Sequence, residues 1–199
     1  TGRVLVAARG ITGPDVSEAE YFARATYGAL GKGHEVLQPQ NRRAFFYAAP
    51  DFGADGLVRG ALVVVADVED VEQTWRGSLP AVFFTGRSGE VFISNRSELL
   101  FWLRRPNEPG LRPKSGEAVE FSAHLVGGHE IWQLGWGRYL PKQALHQAVE
   151  LPVIDMVGEI LLDTTPARRI ATLQAAALAA IFLAFGALLF LATERRRTL

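Results

Sequence analysis

The stretch ATLQAAALAAIFLAFGALLFL, from Ala171 to Leu191, decides how this chain is organised. It contains no charged residue, and as a helix rising ~1.5 Å per residue it would extend roughly 30 Å, the thickness of a hydrocarbon core. Thr165 and Pro166 just before it suit a helix N-terminus. A buried helix of a soluble protein is the alternative, but such helices seldom stay apolar on every side for this length. We therefore predict a transmembrane helix over 165–192 and a cytoplasmic basic flank over 193–199.

The composition of the whole chain excludes several classes of protein. The 199 residues correspond to one domain or two small ones, and Lys plus Arg balance Asp plus Glu at 21 each, which argues against a nucleic-acid-binding surface. There is no cysteine, so disulfides and thiolate metal sites are excluded. His124 and His129 flank a Gly-Gly turn, where two solvated imidazoles are more expected than a metal pair. The acidic run Asp67–Glu72 fits the start of a helix better than a catalytic site.

The first half of the chain predicts a helix followed by a small antiparallel sheet. Ser17 and Glu20 have the spacing of a capping box, which predicts a helix from Ser17 to Leu30. The apolar run ALVVVADV, ending at Val68, predicts a strand that is buried on both faces. Arg42 and Arg43 are expected to be solvated. The predicted elements after the first helix are strands over 34–37, 44–49 and 57–68, with the second strand stopping at Pro50, and a helix over 67–75.

The second half predicts another antiparallel sheet. Glycines at both ends of a four-residue turn, Gly86–Gly89, favour a hairpin, and so does the pair Gly127-Gly128. The predicted elements are strands over 81–85 and 90–94, a short helix over 95–103, strands over 118–125 and 129–134, a helix from Pro141 and a last strand over 153–163.

The fold class that follows is α+β, with two successive antiparallel-sheet units followed by one transmembrane helix. We predict a membrane-distal unit over 1–79 and a membrane-proximal unit over 80–164. No flexible linker separates the last strand from the membrane helix, so a shift in that strand can push or rotate the helix. Small residues at Ala176 and Ala180 have the spacing of a helix–helix contact in a homodimer, although alanine is also common filler in membrane helices, which is the favoured interpretation.

A candidate pocket lies between the first helix and the first sheet. The helix carries Tyr21, Phe22 and Arg24, and strand alternation places Phe45 and Tyr47 on one face of the following strand. We predict that these five residues bind a ligand, with Arg24 or Arg43 supplying charge for an anion. The alternative is that the aromatic residues simply form the core.

The order of several segments resembles a known family. These segments are EYFARA at 20–25, RAFFYAAP at 43–50, VRGALVVVADVEDVEQTW at 58–75, FTGRSGEVFISNRSELLFW at 84–102 and LPVIDMVGEILLDTTPARR at 151–169. In this order they resemble the extracytoplasmic PDC/Cache sensor region, and the transmembrane helix after it, of sensor histidine kinases of the dicarboxylate (DctB) type. The resemblance implies that both units are PAS-like Cache units and that Tyr21 and Phe22 belong to the ligand site. It also implies that the chain is a fragment without the family's N-terminal helix.

The sequence departs from the family where that family holds a dicarboxylate. Ala19 stands where those proteins carry an arginine, and Ala66 stands near the position of their lysine. Burying a dianion without fixed cationic partners is costly. This departure from the family favours a ligand that is less charged or more apolar than a dicarboxylate, such as another organic acid, or no small ligand at all.

The resemblance also implies a role. The chain would be the sensory input region of a two-component sensor histidine kinase in the bacterial inner membrane, with its sensor units on the periplasmic side. It would bind a small-molecule ligand, cross the lipid bilayer, form a homodimer and reach a cognate response regulator through a kinase module outside this chain. ATP and magnesium would belong to that module, and we expect no catalytic residue, metal or cofactor here. The alternatives are a tail-anchored binding or scaffold protein, the sensor of a chemoreceptor or cyclase, and, least favoured, a membrane-anchored hydrolase.

Overall fold

The computed structural model describes residues 2–8, 12–38, 41–105, 108–116, 119 and 121–197. They form two antiparallel sheets, two short helices, one 3-10 turn and a long C-terminal helix. The elements are α1 (Glu20–Thr26), β1 (Gly31–Leu37), β2 (Arg42–Phe52), β3 (Val58–Asp67), α2 (Val68–Trp75), β4 (Ala81–Thr85), β5 (Val91–Ser94), the 3-10 turn (Ser97–Leu99), β6 (Phe121–Val126), β7 (His129–Leu134), β8 (Gln143–Leu151), β9 (Met156–Asp163) and α3 (Thr165–Arg197).

The first sheet has the order β1-β2-β3 and carries α1 on one face. Phe46 in β2 lies opposite Gly33 in β1 and Val65 in β3, so these three positions share that face. Tyr21 stacks on Phe46 with ring centroids 4.6 Å apart, and Ala25 is fully buried beside it. The contact between α1 and the sheet buries one aromatic pair and small alanines. This holds a helix of two turns on the sheet, while the opposite face of the helix stays in solvent.

The helix α1 is shorter than predicted, and the predicted capping box is wrong. The residue before the helix is Ala19, which makes no side-chain cap hydrogen bond. The Ser17 backbone N–H instead donates to the Asp15 carboxylate, in a local turn ahead of the helix. Asp67 does cap α2, since its carboxylate accepts the backbone N–H of Glu69, as its position at the start of that helix predicted.

The strands β2 and β3 also differ from the sequence prediction. β2 does not stop at Pro50, because β1 ends its pairing at Ala48 and the proline lies where β2 has a partner only on the β3 side. β3 is not buried on both faces, since Leu62 and Val64 are 70% and 60% exposed. β3 is an edge strand of the sheet in the described part of the chain. An apolar run predicts a strand, but it does not show what covers the strand.

The second sheet has six strands in the order β5-β4-β9-β8-β7-β6 and contains the main core. Phe83, Trp132 and Leu161 are buried at its centre, and the ring of Phe121 meets Trp132 edge-on at 5.3 Å. The two predicted hairpins are confirmed as β4–β5 and β6–β7, although the predicted start of β6 at Ala118 lies outside the described residues.

The helix predicted from Pro141 is wrong, because that segment is the strand β8. It pairs with β7 on one side and β9 on the other, so Leu145 lies opposite both Ile131 and Leu162. Backbone hydrogen bonds to two neighbours outweigh the helix propensity of a segment such as this.

A buried polar cluster crosses the same sheet. The ring of His146 contacts Glu130 through Nδ1 at 2.6 Å and Glu159 through Nε2 at 2.7 Å. Trp132 stacks on the imidazole at 4.3 Å, and Arg104 lies 3.5 Å from the Glu159 carboxylate. The cluster therefore joins β7, β8 and β9 by side-chain contacts as well as by their backbone ladders.

An ion pair connects the first sheet to α2 and the second sheet. The Arg43 guanidinium donates to both carboxylate oxygens of Glu72 at 2.6 and 2.7 Å, and to the Phe92 carbonyl at 2.7 Å. The Ser94 backbone N–H donates to the same carboxylate at 2.8 Å. Arg43 is 4% exposed, so the prediction that it is solvated is wrong. Its neighbour Arg42 is exposed and pairs with Asp67.

The helix α3 is long and apolar enough to cross a membrane. A single residue, Thr164, separates it from the end of β9, and no other part of the described chain covers its apolar segment. A core helix of a soluble protein would be covered, so the alternative weighed from the sequence does not apply. The helix continues past the predicted end at 192 to Arg197. Gln143 at the start of β8 accepts hydrogen bonds from Thr164 at 3.2 Å and from Arg168 at 2.6 Å, which fastens the start of the helix to the second sheet.

Candidate functional site

A cleft of about 310 Å³ opens where the first sheet meets two turns of the second sheet. The helix α1 and the strand β1 form one side of it. The β4–β5 turn and the β8–β9 turn form the other side. Its lining residues are Glu20, Tyr21, Arg24, Lys32, Gly33, His34, Glu35, Phe46, Arg87, Ser88, Ile154 and Asp155.

Aromatic rings form the base of the cleft, and glycines in β1 allow α1 to approach them. A side chain at Gly31 would place its Cβ 1.8 Å from the backbone oxygen of Tyr21, so only glycine fits there. At Gly33 a Cβ would lie 3.3 Å from the Tyr21 ring. The two glycines thus set the distance at which the Tyr21 ring rests on Phe46, and that ring pair is the least polar part of the lining.

Charged side chains of both signs surround the aromatic base. Lys32 donates to the carbonyls of Pro152 at 2.5 Å and Val153 at 3.3 Å, which ties β1 to the β8–β9 turn. Arg87 of the β4–β5 turn pairs with Asp155 of the β8–β9 turn, and its Nη1 lies 3.4 Å from a Glu20 carboxylate oxygen on α1. The two walls of the cleft are therefore linked by exposed ionic contacts, which are weak individually and can rearrange.

Burial shifts the pKa values of two side chains that line the cleft, Tyr21 and His34. Burial raises the pKa of Tyr21 above its ordinary value, and the nearby Glu35 carboxylate raises it further. The hydroxyl is therefore a neutral donor at physiological pH, and within the described residues it makes no hydrogen bond. Burial lowers the pKa of His34, against the opposing attraction of Glu90 and Asp155. The His34 ring lies 4.4 Å from the ring of Phe92, which contributes to that burial.

The predicted ligand residues occupy different places in the structure. Tyr21 and Arg24 line the cleft, and the Arg24 Nε donates to the Leu30 carbonyl at 2.9 Å. Phe22 packs against the core beneath α1 instead. Phe45 and Tyr47 do share a face of β2, as predicted, but it is the face opposite to Phe46 and α1.

The reason for the difference is the face on which the helix packs. Phe45 lies in the apolar cluster between the two sheets with Phe92 and Met156, and it is not part of the cleft lining. Arg43 is held by Glu72 and is not directed to the cleft. Alternation along β2 could have selected Phe46, but Lys32, Arg87 and Asp155 are brought together by contacts between distant parts of the chain that no local pattern reveals.

The two histidines of the β6–β7 hairpin are not paired directly across the two strands. His124 lies opposite Ile131 and His129 lies opposite Val126, so the two rings do not face each other across β6 and β7. The His129 ring contacts the Gln147 amide at 3.4 Å. Across the described residues, no three His, Asp or Glu side chains are grouped so that they could hold a metal ion.

Comparison with known proteins relates this arrangement to sensor domains. No protein-family model matches the sequence, and no curated protein matches it either. The sensor domain of the V. cholerae histidine kinase DctB superposes with a TM-score of 0.58 at 18% identity, over 79% of this chain and 64% of that one. The fold is that of a PDC/Cache sensor domain. The resemblance to DctB that the sequence predicted is confirmed at the level of the fold.

A second similar structure belongs to a different class of receptor. The ligand-binding domain of the Campylobacter jejuni chemoreceptor Tlp3, solved with L-valine, has a TM-score of 0.50 at 14% identity, over 81% of this chain and 62% of that one. The chain thus spans less than two thirds of the length of either structure. The shared architecture is mixed α/β with antiparallel sheets.

Proposed function

We propose that this chain is the extracytoplasmic sensory input region of a membrane-bound receptor, in which a small molecule binds the cleft and α3 carries the response across the membrane. The observation that carries the proposal is a continuous connection between the two. The β8–β9 turn forms one wall of the cleft, and the same two strands hold the start of α3 through Asp163 and Gln143. A ligand that moves Asp155 acts on strands that end at the membrane helix.

The ligand that we propose is a small organic acid. Arg24, Lys32 and Arg87 supply the positive charge that Ala19 and Ala66 do not, and the base of the cleft is apolar. The carboxylates of Glu20 and Asp155 lie in the same lining, which favours a ligand that also carries a positive group. An amino acid meets both conditions, and the L-valine bound by Tlp3 is consistent with that class. In this proposal the ligand contacts come from Tyr21, Arg24 and Phe46.

The organisation that we propose follows the DctB likeness. The first sheet with its helices is a membrane-distal sensor unit over 1–79, and the second sheet is a membrane-proximal unit over 80–164. The receptor is a homodimer in the bacterial inner membrane with both units on the periplasmic side. Its output is a histidine kinase module that uses ATP and magnesium and phosphorylates a response regulator. Chemoreceptor output is the second candidate, because the Tlp3 domain has the same fold.

A thermal-shift series tests the ligand site. The full chain in detergent micelles is heated with a panel of organic acids and amino acids, and a compound present at 100 times its Kd stabilises the folded state by about 2.7 kcal/mol. The Tyr21→Phe variant removes only the hydroxyl that lacks a partner and should reduce the shift.

The matched control for this series is Tyr27→Phe, because Tyr27 follows the same helix and is 88% exposed. It should leave the shift unchanged. A panel that produces no shift in the unsubstituted chain would refute the ligand site, and equal shifts in both variants would remove the Tyr21 hydroxyl from it.

A further inference from the structure

The connection between β7 and β8 lies at the membrane end of the second sheet. Gln133 near the end of β7 pairs with Gln143 at the start of β8, and Ala144 pairs with Asp163 at the end of β9. The three strand ends therefore share one edge of the sheet. α3 leaves from this edge, so the loop of residues 135–142 lies beside the first turn of the membrane helix.

The side-chain contacts give the depth of this edge relative to the bilayer. Arg168 reaches the Gln143 side chain at 2.6 Å, and the uncharged segment of α3 begins at Ile170. Two residues correspond to ~3 Å along the helix axis. The headgroup layer of a bilayer is roughly 5–8 Å thick on each side of the hydrocarbon core. The start of β8 is therefore level with the headgroups, and the loop before it lies at the same level.

The chemistry of the loop suits that layer. Tyr139 is 66% exposed, and the Arg138 guanidinium lies 5.7 Å from the centre of its ring. Lys142 is also exposed, and Arg168 and Arg169 follow on the adjacent helix turn. Amphipathic aromatic rings and cations are the side chains that prefer the membrane interface and its phosphates.

The exposed ring is not the result of a loose loop. Leu140 is 8% exposed and belongs to the core of the second sheet. The Tyr139 N–H donates to the Glu98 carboxylate at 3.0 Å, and its carbonyl accepts from the Arg96 Nε at 3.1 Å. Gly137 has a φ of +87°, which shapes the turn at little steric cost only because it is glycine. The backbone on both sides of the ring is held, and the ring itself is presented outward.

From these observations we propose that residues 135–142 form a membrane-contacting loop that binds phospholipid headgroups of the leaflet that α3 enters. Tyr139 inserts among the headgroups, and Arg138 and Lys142 pair with their phosphates. The loop fixes the orientation of the second sheet on the bilayer. Movement of β8 and β9 therefore displaces α3 instead of tilting both sheets together relative to the membrane. This inference is independent of which ligand the cleft binds.

Site-directed fluorescence quenching tests the contact, and the absence of cysteine from the chain makes single labelling clean. Tyr139→Cys and Tyr27→Cys are each labelled with an environment-sensitive fluorophore on the full chain. The chains are placed in nanodiscs of phosphatidylcholine and phosphatidylglycerol that contain a lipid spin-labelled at the headgroup. Tyr27 is the matched control, since it is also exposed and follows α1 on the cleft side, while the cleft and the start of α3 lie at opposite ends of β9, a strand length of roughly 25 Å.

We expect the label at 139 to be quenched at least twofold more than the label at 27. Equal quenching at the two sites would overturn the proposal. In the Tyr139→Cys background, Arg138→Glu together with Lys142→Glu should reduce the difference, since like charges repel the phosphates. If quenching persists undiminished in that variant, the phosphate contacts are wrong. Neither result depends on the ligand panel, so failure here is distinguishable from failure of the sensory role.

Discussion

Breaking the buried ion pair of Arg43 and Glu72 should destabilise the two-sheet part of the chain more than breaking an ion pair on its surface. In Arg43→Met the Glu72 carboxylate, which is 1% exposed, keeps the Ser94 N–H as its only partner among the described residues. Removal of one partner from a buried ion pair costs about 3–5 kcal/mol, because the remaining charge has left water without compensation. The total stability of such a domain is about 5–15 kcal/mol, so this is a large fraction of it.

The double substitution separates the cost of burial from the value of the pair. With Arg43→Met and Glu72→Leu together, no charge is left buried, and the remaining losses are the acceptor of the Ser94 N–H and the donor to the Phe92 carbonyl. An unsatisfied buried backbone group costs about 1–3 kcal/mol. We therefore expect the double variant to be more stable than Arg43→Met, although less stable than the unsubstituted chain.

Urea unfolding of the full chain in micelles measures this difference. All four tryptophans lie outside α3, so their fluorescence reports only the outer region. The matched control is Arg105→Met, because Arg105 is 59% exposed and lies 3.7 Å from Glu108, a surface pair worth about 0–1 kcal/mol. If Arg43→Met costs no more than Arg105→Met, or if the double variant is the least stable of all, the reasoning is refuted.

Three further predictions concern single positions. Gly31→Ala should displace α1 and lower the free energy of unfolding by more than ~2 kcal/mol, because the new Cβ meets the Tyr21 backbone. The control is Gly60→Ala, whose new Cβ faces open space. It should change the free energy of unfolding by less than ~1 kcal/mol in the same urea assay. Burial lowers the pKa of His34 in the folded chain, so below about pH 6.5 the unfolded chain binds a proton at His34 more readily than the folded chain does. The free energy of unfolding should therefore fall as the pH falls below about 6.5. The His34→Gln variant should show a flatter profile of urea midpoint against pH. His146→Phe removes the imidazole that contacts both Glu130 and Glu159, while Arg104 stays beside both carboxylates. The loss of the two imidazole contacts should cost about 1–3 kcal/mol in the same measurement, and an unchanged urea midpoint would contradict their role.

Local patterns were sufficient where a residue's neighbours in sequence decide its structure. The glycine turns predicted both hairpins, and Asp67 predicted the start of α2. Local patterns failed where the burial of a residue depends on which other elements pack over it. The apolar run that ends at Val68 became an edge strand with Leu62 exposed, and the arginine expected in solvent, Arg43, became the centre of a buried pair. An apolar strand has the same local sequence whether other elements cover it or leave it exposed. An arginine likewise has the same neighbours in sequence whether it lies in solvent or in a buried ion pair.

The candidate site shows the same division. Tyr21 and Arg24 were predicted from the helix that carries them, and both line the cleft. Phe45 was preferred to Phe46 because alternation gives two faces but does not show which one the helix covers. Lys32 contacts the carbonyl of Pro152, a residue 120 positions away in sequence, so its place in the cleft follows only from the packing of the two sheets.

By itself, the sequence determined that the chain has an uncharged segment long enough to cross a bilayer and that antiparallel strands precede it. These properties depend on hydrophobicity and turn chemistry, which act over a few residues. The tertiary structure alone decided which face of β2 lines the cleft, that β8 is a strand, and that Gln143 holds Arg168 at the start of α3. Each of these outcomes is set by contacts between segments far apart in the chain, where the energy of burial and pairing depends on the partner and not on the local pattern.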